Sequence, residues 1–299
     1  MPDDLTAVVV THNSAHVVEG LLDSIPAALG GMSAEIIVVD NGSADGTASL
    51  IEKRTDCRLV RSTNMGYSAG INRGVQESTG KGCVLVLNPD VRLAAGSVGH
   101  LVATMGLPRT GIVAPQIRNT DGRLFPSLRR RPTLGRALGL GRTGLPVFSE
   151  YVTRPEDYAR PAVVDWALGA VLLVSRECYE ALNGWDESYF LYSEETDFSL
   201  RARDLGFLTR YEPSAVATHI GGQSGRSEKT HAMQIVNRVR LYRRRHGAPA
   251  ASAYYALTLA SELAWAARGE GNSRATILAL AKPSRRPPEL GCSSHLLPR

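Results

Sequence analysis

The sequence predicts an α/β protein with a mostly parallel central sheet, helices on both faces and further helices at its C-terminal end. Three observations carry that reading. From Leu5 onward, short apolar runs alternate with helix-like stretches, and such alternation implies right-handed crossovers and parallel pairing. Three of the runs end in polar, turn-forming residues: Thr11-His12-Asn13, Asp40-Asn41-Gly42-Ser43 and Asn88-Pro89-Asp90. With 299 residues, 43% hydrophobic and 21% charged, the chain can bury a sizeable core and is not largely disordered.

Residues 5–10 form an apolar strand, after which Asn13 or Ser14 can cap a helix that Gly30-Gly31 stops near Leu29. Residues 35–39 read as a second strand, Asp45-Gly46-Thr47 opens a helix, and residues 58–61 are a third, short strand. Residues 64–79 are a turn and helix with Gly66, Gly70 and Gly74 at intervals of four, a face that permits close backbone approach. That spacing is not the dinucleotide fingerprint, and no phosphate-cradling P-loop motif occurs, which argues against a dehydrogenase or P-loop kinase. Residues 81–87 are a buried strand built on Val84-Leu85-Val86-Leu87. Pro89 donates no N–H and restricts Asn88, so the ladder ends there. Asp90 is thereby delivered just past the strand, at the edge where open α/β sheets bind ligands. Asn-Pro-Asp alone also makes an ordinary turn, but a carboxylate at that edge can hold a hard cation that takes substrate phosphates.

Residues 111–115 are a further strand, and 118–161, rich in Pro, Gly and Arg, read as a long irregular loop of the kind that lines sites. Structure resumes at 163–166, residues 169–174 are a buried strand, and Ser175 caps a helix through Leu182. Next come Glu194, Glu195 and Asp197, in the first turn of a helix with Ser193 as N-cap and Phe198, Ala202 and Leu205 facing the core. Acids there complement the helix dipole. Following an aromatic-rich loop, they also suit a catalytic base. Residues 207–211 and 215–219 are short strands, leading from His219 into a flexible loop at 221–225. A basic helix at 230–245 and a mostly apolar one at 248–267, interrupted by Glu262, complete the fold, and 269–299 are expected as a loose tail. This divides the chain into a catalytic domain at 1–225, C-terminal helices at 226–268 and the tail.

The net charge of +5 is uneven. Seven arginines face one acid, Asp121, between Arg118 and Arg142, and seven Lys/Arg face Glu228 between Arg226 and His246. Such patches suit phosphates or an anionic membrane surface. Nucleic acid is disfavoured, because neither aromatic interleaving nor a recognised module accompanies them. Cys57, Cys83, Cys178 and Cys292 have no ligand or disulfide-framework spacing, which fits a reducing compartment. Acids in Met1-Pro2-Asp3-Asp4 do not suit a secretory signal, so the expectation is a cytoplasmic protein, peripheral on the inner face of the membrane.

In the same order, Val8-Val9-Val10-Thr11-His12-Asn13-Ser14, Val38-Val39-Asp40-Asn41-Gly42-Ser43, Asn64-Met65-Gly66-Tyr67 through Asn72, Leu87-Asn88-Pro89-Asp90, Trp166-Ala167-Leu168-Gly169-Ala170, Gly184-Trp185-Asp186-Glu187, the 194–197 acids and His219 form a pattern. It resembles the inverting family 2 glycosyltransferases of the GT-A fold, in particular their bacterial rhamnosyltransferase-like branch, over about residues 5 to 225. The resemblance implies a Rossmann-like sheet and a nucleotide-sugar donor, best dTDP-rhamnose. It implies that Asp40 reads the donor's base or ribose, Thr11 and Asn13 line the nucleotide pocket, and Asn64, Gly66 and Asn72 close over it. Asn88 and Asp90 stand for the metal-binding motif, with Asp90 its ligand for Mg2+ or Mn2+ and His219 a further ligand to metal or pyrophosphate. Trp166, Gly169 and Ala170 match the wall for donor sugar and acceptor. Glu195 replaces the Asp usual at the base position, with Glu194 the second choice and Asp197 in support. The implied acceptor is a glycan or polyprenyl-diphosphate-linked hydroxyl in cell-envelope polysaccharide synthesis. Alternatives are the same fold with a UDP- or GDP-sugar or a small-molecule acceptor, or a non-catalytic sugar-nucleotide binder.

Overall fold

The computed structural model describes residues 5–221, 227–290 and 296. Strands β1 (Leu5–Thr11), β2 (Ala34–Asn41), β3 (Arg58–Ser62) and β4 (Val84–Leu87) lie parallel in the order β3-β2-β1-β4. They are joined by α1 (Val18–Leu29), α2 (Thr47–Ile51) and α3 (Tyr67–Glu77). β1 and β4 are buried along their whole length, as strands covered on both faces must be. Side chains alternate across a strand. Val9 and Leu85 accordingly meet Val18, Leu21 and Ile25 of α1 on one face, while Val8, Val10 and Val86 meet Ile71 and Val75 of α3 on the other. Register matters for the site. Thr11 pairs with Asp40, and Val9 with Leu87, so the three polar strand ends share one edge.

The expected glycine face of α3 is present and packs onto β1. A side chain at Gly70 would come within 2.6 Å of Val10, and one at Gly74 would collide with Val8. Gly66 has φ 98°, and a Cβ there would sit 2.5 Å from the Phe190 carbonyl. Only glycine tolerates both demands.

The second half of the domain departs from an all-parallel sheet. Its elements are β5 (Val91–Leu93), α4 (Ser97–Met105), β6 (Thr110–Arg118), β7 (Leu128–Arg129), α5 (Leu134–Ala137), β8 (Ala162–Val164), β9 (Trp166–Ala167), β10 (Val171–Val174), α6 (Arg176–Ala181), α7 (Glu194–Asp204) and β11 (Leu208–His219). β10 enters antiparallel between β4 and β6, and the sheet continues β6-β11-β5. Two strands expected at 207–211 and 215–219 are one, β11, with a register shift between Glu212 and Val216. The 118–161 excursion is short of regular structure, but its neck is closed by the β7–β9 ribbon and an Arg129–Tyr151 bridge.

Three local expectations are corrected. α1 begins at Val18 without a side-chain cap, because the Ser14 carbonyl already takes the Val17 and Val18 N–H groups. Ser193 does not cap α7 through its side chain, since it adopts φ 73°. Leu205 leaves the core stripe and is 56% exposed, because α7 ends at Asp204 and the chain turns away. Ser175 does cap α6, accepting from the Cys178 N–H at 3.1 Å.

α8 (Glu228–Arg245), α9 (Ala248–Ala267) and α10 (Gly271–Ala281) form a separate apolar cluster with the excursion. The region expected as a loose tail therefore contains a packed helix. Ser273, Thr276, Ala279 and Leu280 are its buried residues, and such small, partly polar side chains give a weak apolar signal in sequence. The Glu262 carboxylate meets His231 Nε2 at 3.1 Å, which satisfies the acid inside α9. No described helix is long and apolar enough to cross a membrane. Residues 222–225 of the loop expected to be flexible lie outside the described residues.

Candidate active site

At the ends of β1 and β2, Asp40 is buried and both its carboxylate oxygens accept hydrogen bonds, with capacity left on Oδ2. Thr11 Oγ1 donates to it at 3.1 Å, the Ser43 N–H at 3.0 Å, and the Ser43 hydroxyl as well. Thr11 thus lies beneath Asp40, with 0% exposure, rather than on the pocket wall. Asn13 is exposed at φ 52° and accepts from the Ala44 N–H at 2.8 Å, tying the two strand-end turns together. Asn64 accepts from the Gly66 N–H, and Asn41 donates to the Gly66 carbonyl at 3.0 Å. This rim is cross-linked by polar side chains before any ligand arrives.

Asn72 does not join it. Its amide donates to the Trp185 carbonyl and to Glu187, and accepts from the Trp185 N–H and the Tyr179 hydroxyl. All its ordinary hydrogen bonds go to pinning the 184–187 segment and Tyr179 of α6 onto α3.

Past β4, Asn88 donates its N–H to the Ala170 carbonyl at 2.9 Å, and the Ile220 N–H donates to the Asp90 carbonyl at 2.8 Å. These bonds fix Asp90 against the end of β11. Its Oδ2 lies 3.1 Å from His219 Nε2, while the buried Oδ1 has no hydrogen-bond partner. An orphaned carboxylate oxygen beside an imidazole suits a divalent cation. No cluster of three acidic, His or Cys ligands surrounds it among the described residues. Mg2+ and Mn2+ suit such a sparse site, because they keep waters and take substrate phosphates as ligands.

The acids open α7. Tyr192 and Ser193 are both left-handed, φ 68° and 73°, a conformation costing roughly 1–2 kcal/mol per residue. Buried Asn237 of α8 holds this loop, donating to the carbonyls of Leu191 at 2.9 Å and Tyr192 at 3.1 Å. The three acids then separate by environment. Asp197 turns away and pairs with Arg201 at 2.6 Å, so it supports the fold rather than the chemistry. Glu194 is 6% exposed and has no cation beside it; burial, then the charge of Glu195, pushes its carboxyl well above the ordinary range. Glu195 is half-buried, with its Oε2 enclosed and without a hydrogen-bond partner, and packs on Gly169, where a Cβ would meet it at 3.5 Å. Burial raises its pKa too, opposed by its own N–H, Arg129 and the Gly169 N–H.

The Glu194 result carries a stability prediction. A carboxyl whose folded pKa is raised keeps a proton that the unfolded chain releases. Its contribution is complete at acid pH and is lost as pH rises through the folded value. Glu194→Gln is therefore expected to raise Tm at pH 8, by about 2–4 °C per kcal/mol recovered, with a smaller gain at pH 5. Calorimetry at both values would show it; an unchanged or lower Tm at pH 8 would contradict the assigned environment.

Two site residues escaped the sequence reading. Tyr67 donates to the Gly169 carbonyl at 3.2 Å, and its phenol is pushed up by burial, then by the charges of Glu194, Glu195 and Asp90. Its hydroxyl is thus anchored on the same Gly169 against which Glu195 packs. Arg129 is buried near Glu195, stacked against Tyr151 and Trp166. Trp166 is half-buried, with its indole N–H donated to the Arg130 carbonyl. Ala170 is buried in the core. The basic helix also proves different from expectation: Arg238 pairs with Glu150, Arg244 with Asp186 and Arg245 with Asp204. Those charges clamp α8 to the catalytic domain.

Asp90 and Glu195 are thus the two carboxylates of the candidate site, beside a half-parallel sheet whose polar strand ends share one edge. Residues 6–155 match glycosyl transferase family 2, and the chain belongs to that family. Over 251 residues it is 34% identical to the N-acetylglucosaminyl-diphospho-decaprenol L-rhamnosyltransferase of Mycobacterium tuberculosis, covering 77% of this chain and 81% of that one. It is 29% identical over 209 residues to a low-salt glycan biosynthesis hexosyltransferase of Haloferax volcanii, covering 68% and 62%. In fold it matches the mannosyltransferase of Pyrobaculum calidifontis solved with GDP-Man and Mn2+, with TM-score 0.57, 19% identity and coverage of 95% and 81%.

Proposed function

We propose that the chain transfers rhamnose from dTDP-rhamnose, with inversion, to a hydroxyl of a polyprenyl-diphosphate-linked glycan in cell-envelope polysaccharide synthesis. The observation that carries the reaction is the unpartnered Asp90 Oδ1 beside His219, in a segment tied by Asn88 to Ala170, next to the Gly169 against which Glu195 packs. Asp90 and His219 would hold Mg2+ or Mn2+, which supplies Lewis-acid neutralisation of the departing diphosphate. The Mn2+ in the archaeal mannosyltransferase supports a cation here. Glu195 takes the proton of the acceptor hydroxyl as it attacks the anomeric carbon from the face opposite the leaving group. Asn13, Asp40, Asn64 and Gly66 receive the nucleotide, and Trp166 and Gly169 flank the sugar. The choice of rhamnose and of a lipid-linked acceptor rests on the mycobacterial relative's activity.

A peripheral contact with anionic membrane belongs to this reading, and it is carried by the excursion rather than by α8. Leu138, Leu140, Leu145 and Val147 are exposed there. Neighbouring Arg130 and Arg136 bond backbone carbonyls rather than carboxylates, so their charge is not neutralised. Arginines beside exposed leucines fit a negatively charged headgroup layer.

The test is donor binding and hydrolysis across dTDP-rhamnose, UDP-sugars and GDP-sugars, with and without Mg2+ or Mn2+, followed by transfer to acceptor in anionic and neutral vesicles. A metal-dependent response to dTDP-rhamnose, and transfer favoured in anionic vesicles, are expected. Response to another donor alone would replace the sugar assignment. Binding without hydrolysis or transfer would leave a sugar-nucleotide binder, and no response to any donor from folded protein would overturn the proposed activity.

A further inference from the structure

The strongest unexplained feature is Arg129, which the sequence marks only as one of seven arginines in a basic segment. It is 7% exposed and pairs in register with Trp166 across the β7–β9 ribbon. Its guanidinium lies 4.0 Å from the Tyr151 ring centre and 5.8 Å from that of Trp166. Nη1 donates to the carbonyls of Pro126 and Leu128. Among the described residues, Nε and Nη2 have no hydrogen-bond partner and no carboxylate pairs with the group. Other enclosed arginines differ. Arg201 meets Asp197 at 2.6 Å and Arg238 meets Glu150 at 2.5 Å.

Enclosing a cation without a counter-ion is costly. Here the cation is also held in place by two carbonyls and two ring faces, so it cannot swing into solvent. Its two open nitrogens keep the fork that suits phosphate oxygens. The location narrows which phosphate. The donor's diphosphate belongs with Asp90 and His219, whereas Arg129 sits on β7 against β9, whose chain runs on to the Gly169 that packs on Glu195, the group that must meet the acceptor hydroxyl. In a polyprenyl-diphosphoryl sugar, the phosphates are one sugar ring away from the hydroxyls that can attack.

We propose that Arg129, framed by Tyr151 and Trp166, binds the diphosphate of the acceptor and so sets which acceptor hydroxyl reaches Glu195. This rests on the lipid-linked acceptor reading above. The test compares two acceptors, a short-chain prenyl-diphosphoryl N-acetylglucosamine and a neutral alkyl N-acetylglucosaminide, in the wild type, Arg129→Gln and Arg129→Lys. Donor hydrolysis in the absence of acceptor is the donor-side readout.

The wild type is expected to prefer the diphosphate acceptor in kcat/KM by roughly 10- to 100-fold, the range for hydrogen bonds to a charged group. Arg129→Gln should abolish that preference through acceptor KM, with donor KM unchanged. Arg129→Lys should restore part of it, because it keeps the charge but loses the fork. Equal loss of kcat on both acceptors would overturn the anchor and make Arg129 a partner of Glu195 alone. Should Arg129→Gln not fold, the wild-type preference and Arg129→Lys still decide. A wild type that uses both acceptors equally overturns the anchor only. One that hydrolyses donor but uses neither acceptor overturns the acceptor reading, and the anchor with it.

Discussion

Glu195→Gln is expected to lower kcat by about 10²- to 10⁴-fold, the usual contribution of a positioned general base, with donor KM little changed. Glutamine keeps the shape of the side chain packed on Gly169 and removes only its ability to take a proton. Glu194→Gln should cost far less, because Glu194 is 6% exposed whereas Glu195 is half-buried and packs on the Gly169 wall. Reversal of that order would move the base to Glu194. Glu195 also fixes the acid limb of the pH profile. Burial raises its pKa, so activity should fall as pH drops, beginning above the ordinary carboxylate range. The limb should vanish in Glu195→Gln. Glu195→Asp, which restores the residue usual in the family, is expected to lose roughly 100-fold, because withdrawing the carboxylate by about 1 Å misplaces it.

Asp90→Asn is the second large effect. Lewis-acid stabilisation of a leaving group is worth several kcal/mol, and each 1.36 kcal/mol is a factor of ten, so kcat/KM should fall by about 10²- to 10³-fold. The loss should accompany weakened Mn2+ binding, measurable by titration in the presence of donor. Chelator treatment of the wild type should reproduce it and Mn2+ should reverse it. His219→Ala should be milder, since Asp90 keeps its unpartnered oxygen. A folded Asp90→Asn variant with unaltered metal response would remove Asp90 from the cation site.

Much of the site was legible because its residues sit at the ends of predictable elements. Asp40 and Asp90 each follow an apolar run that is too short and too branched to be anything but a buried strand. Proline after Asn88 marks where the ladder must stop. Glu194 and Glu195 announce a helix start. Asn72 shows the limit of that approach. Motif position placed it over the nucleotide, yet its partners Trp185 and Glu187 lie more than a hundred residues away and claim the whole amide.

By itself the sequence determined the parallel half-sheet, the common edge of its polar ends, the glycine face of α3 and the family. All of these depend on local pattern: apolar runs, turn chemistry and small-residue spacing. Tertiary structure alone decided the rest. It enclosed Arg129 between Tyr151 and Trp166 and bonded Tyr67 to the Gly169 carbonyl, on the wall against which Glu195 packs. It also committed α8 arginines to Glu150, Asp186 and Asp204, and left Arg129, Arg130 and Arg136 of the excursion bonded to backbone carbonyls instead of carboxylates. Charge in a sequence says that a counter-ion is needed. Only the packed chain shows whether the protein already supplies it or leaves it to a ligand.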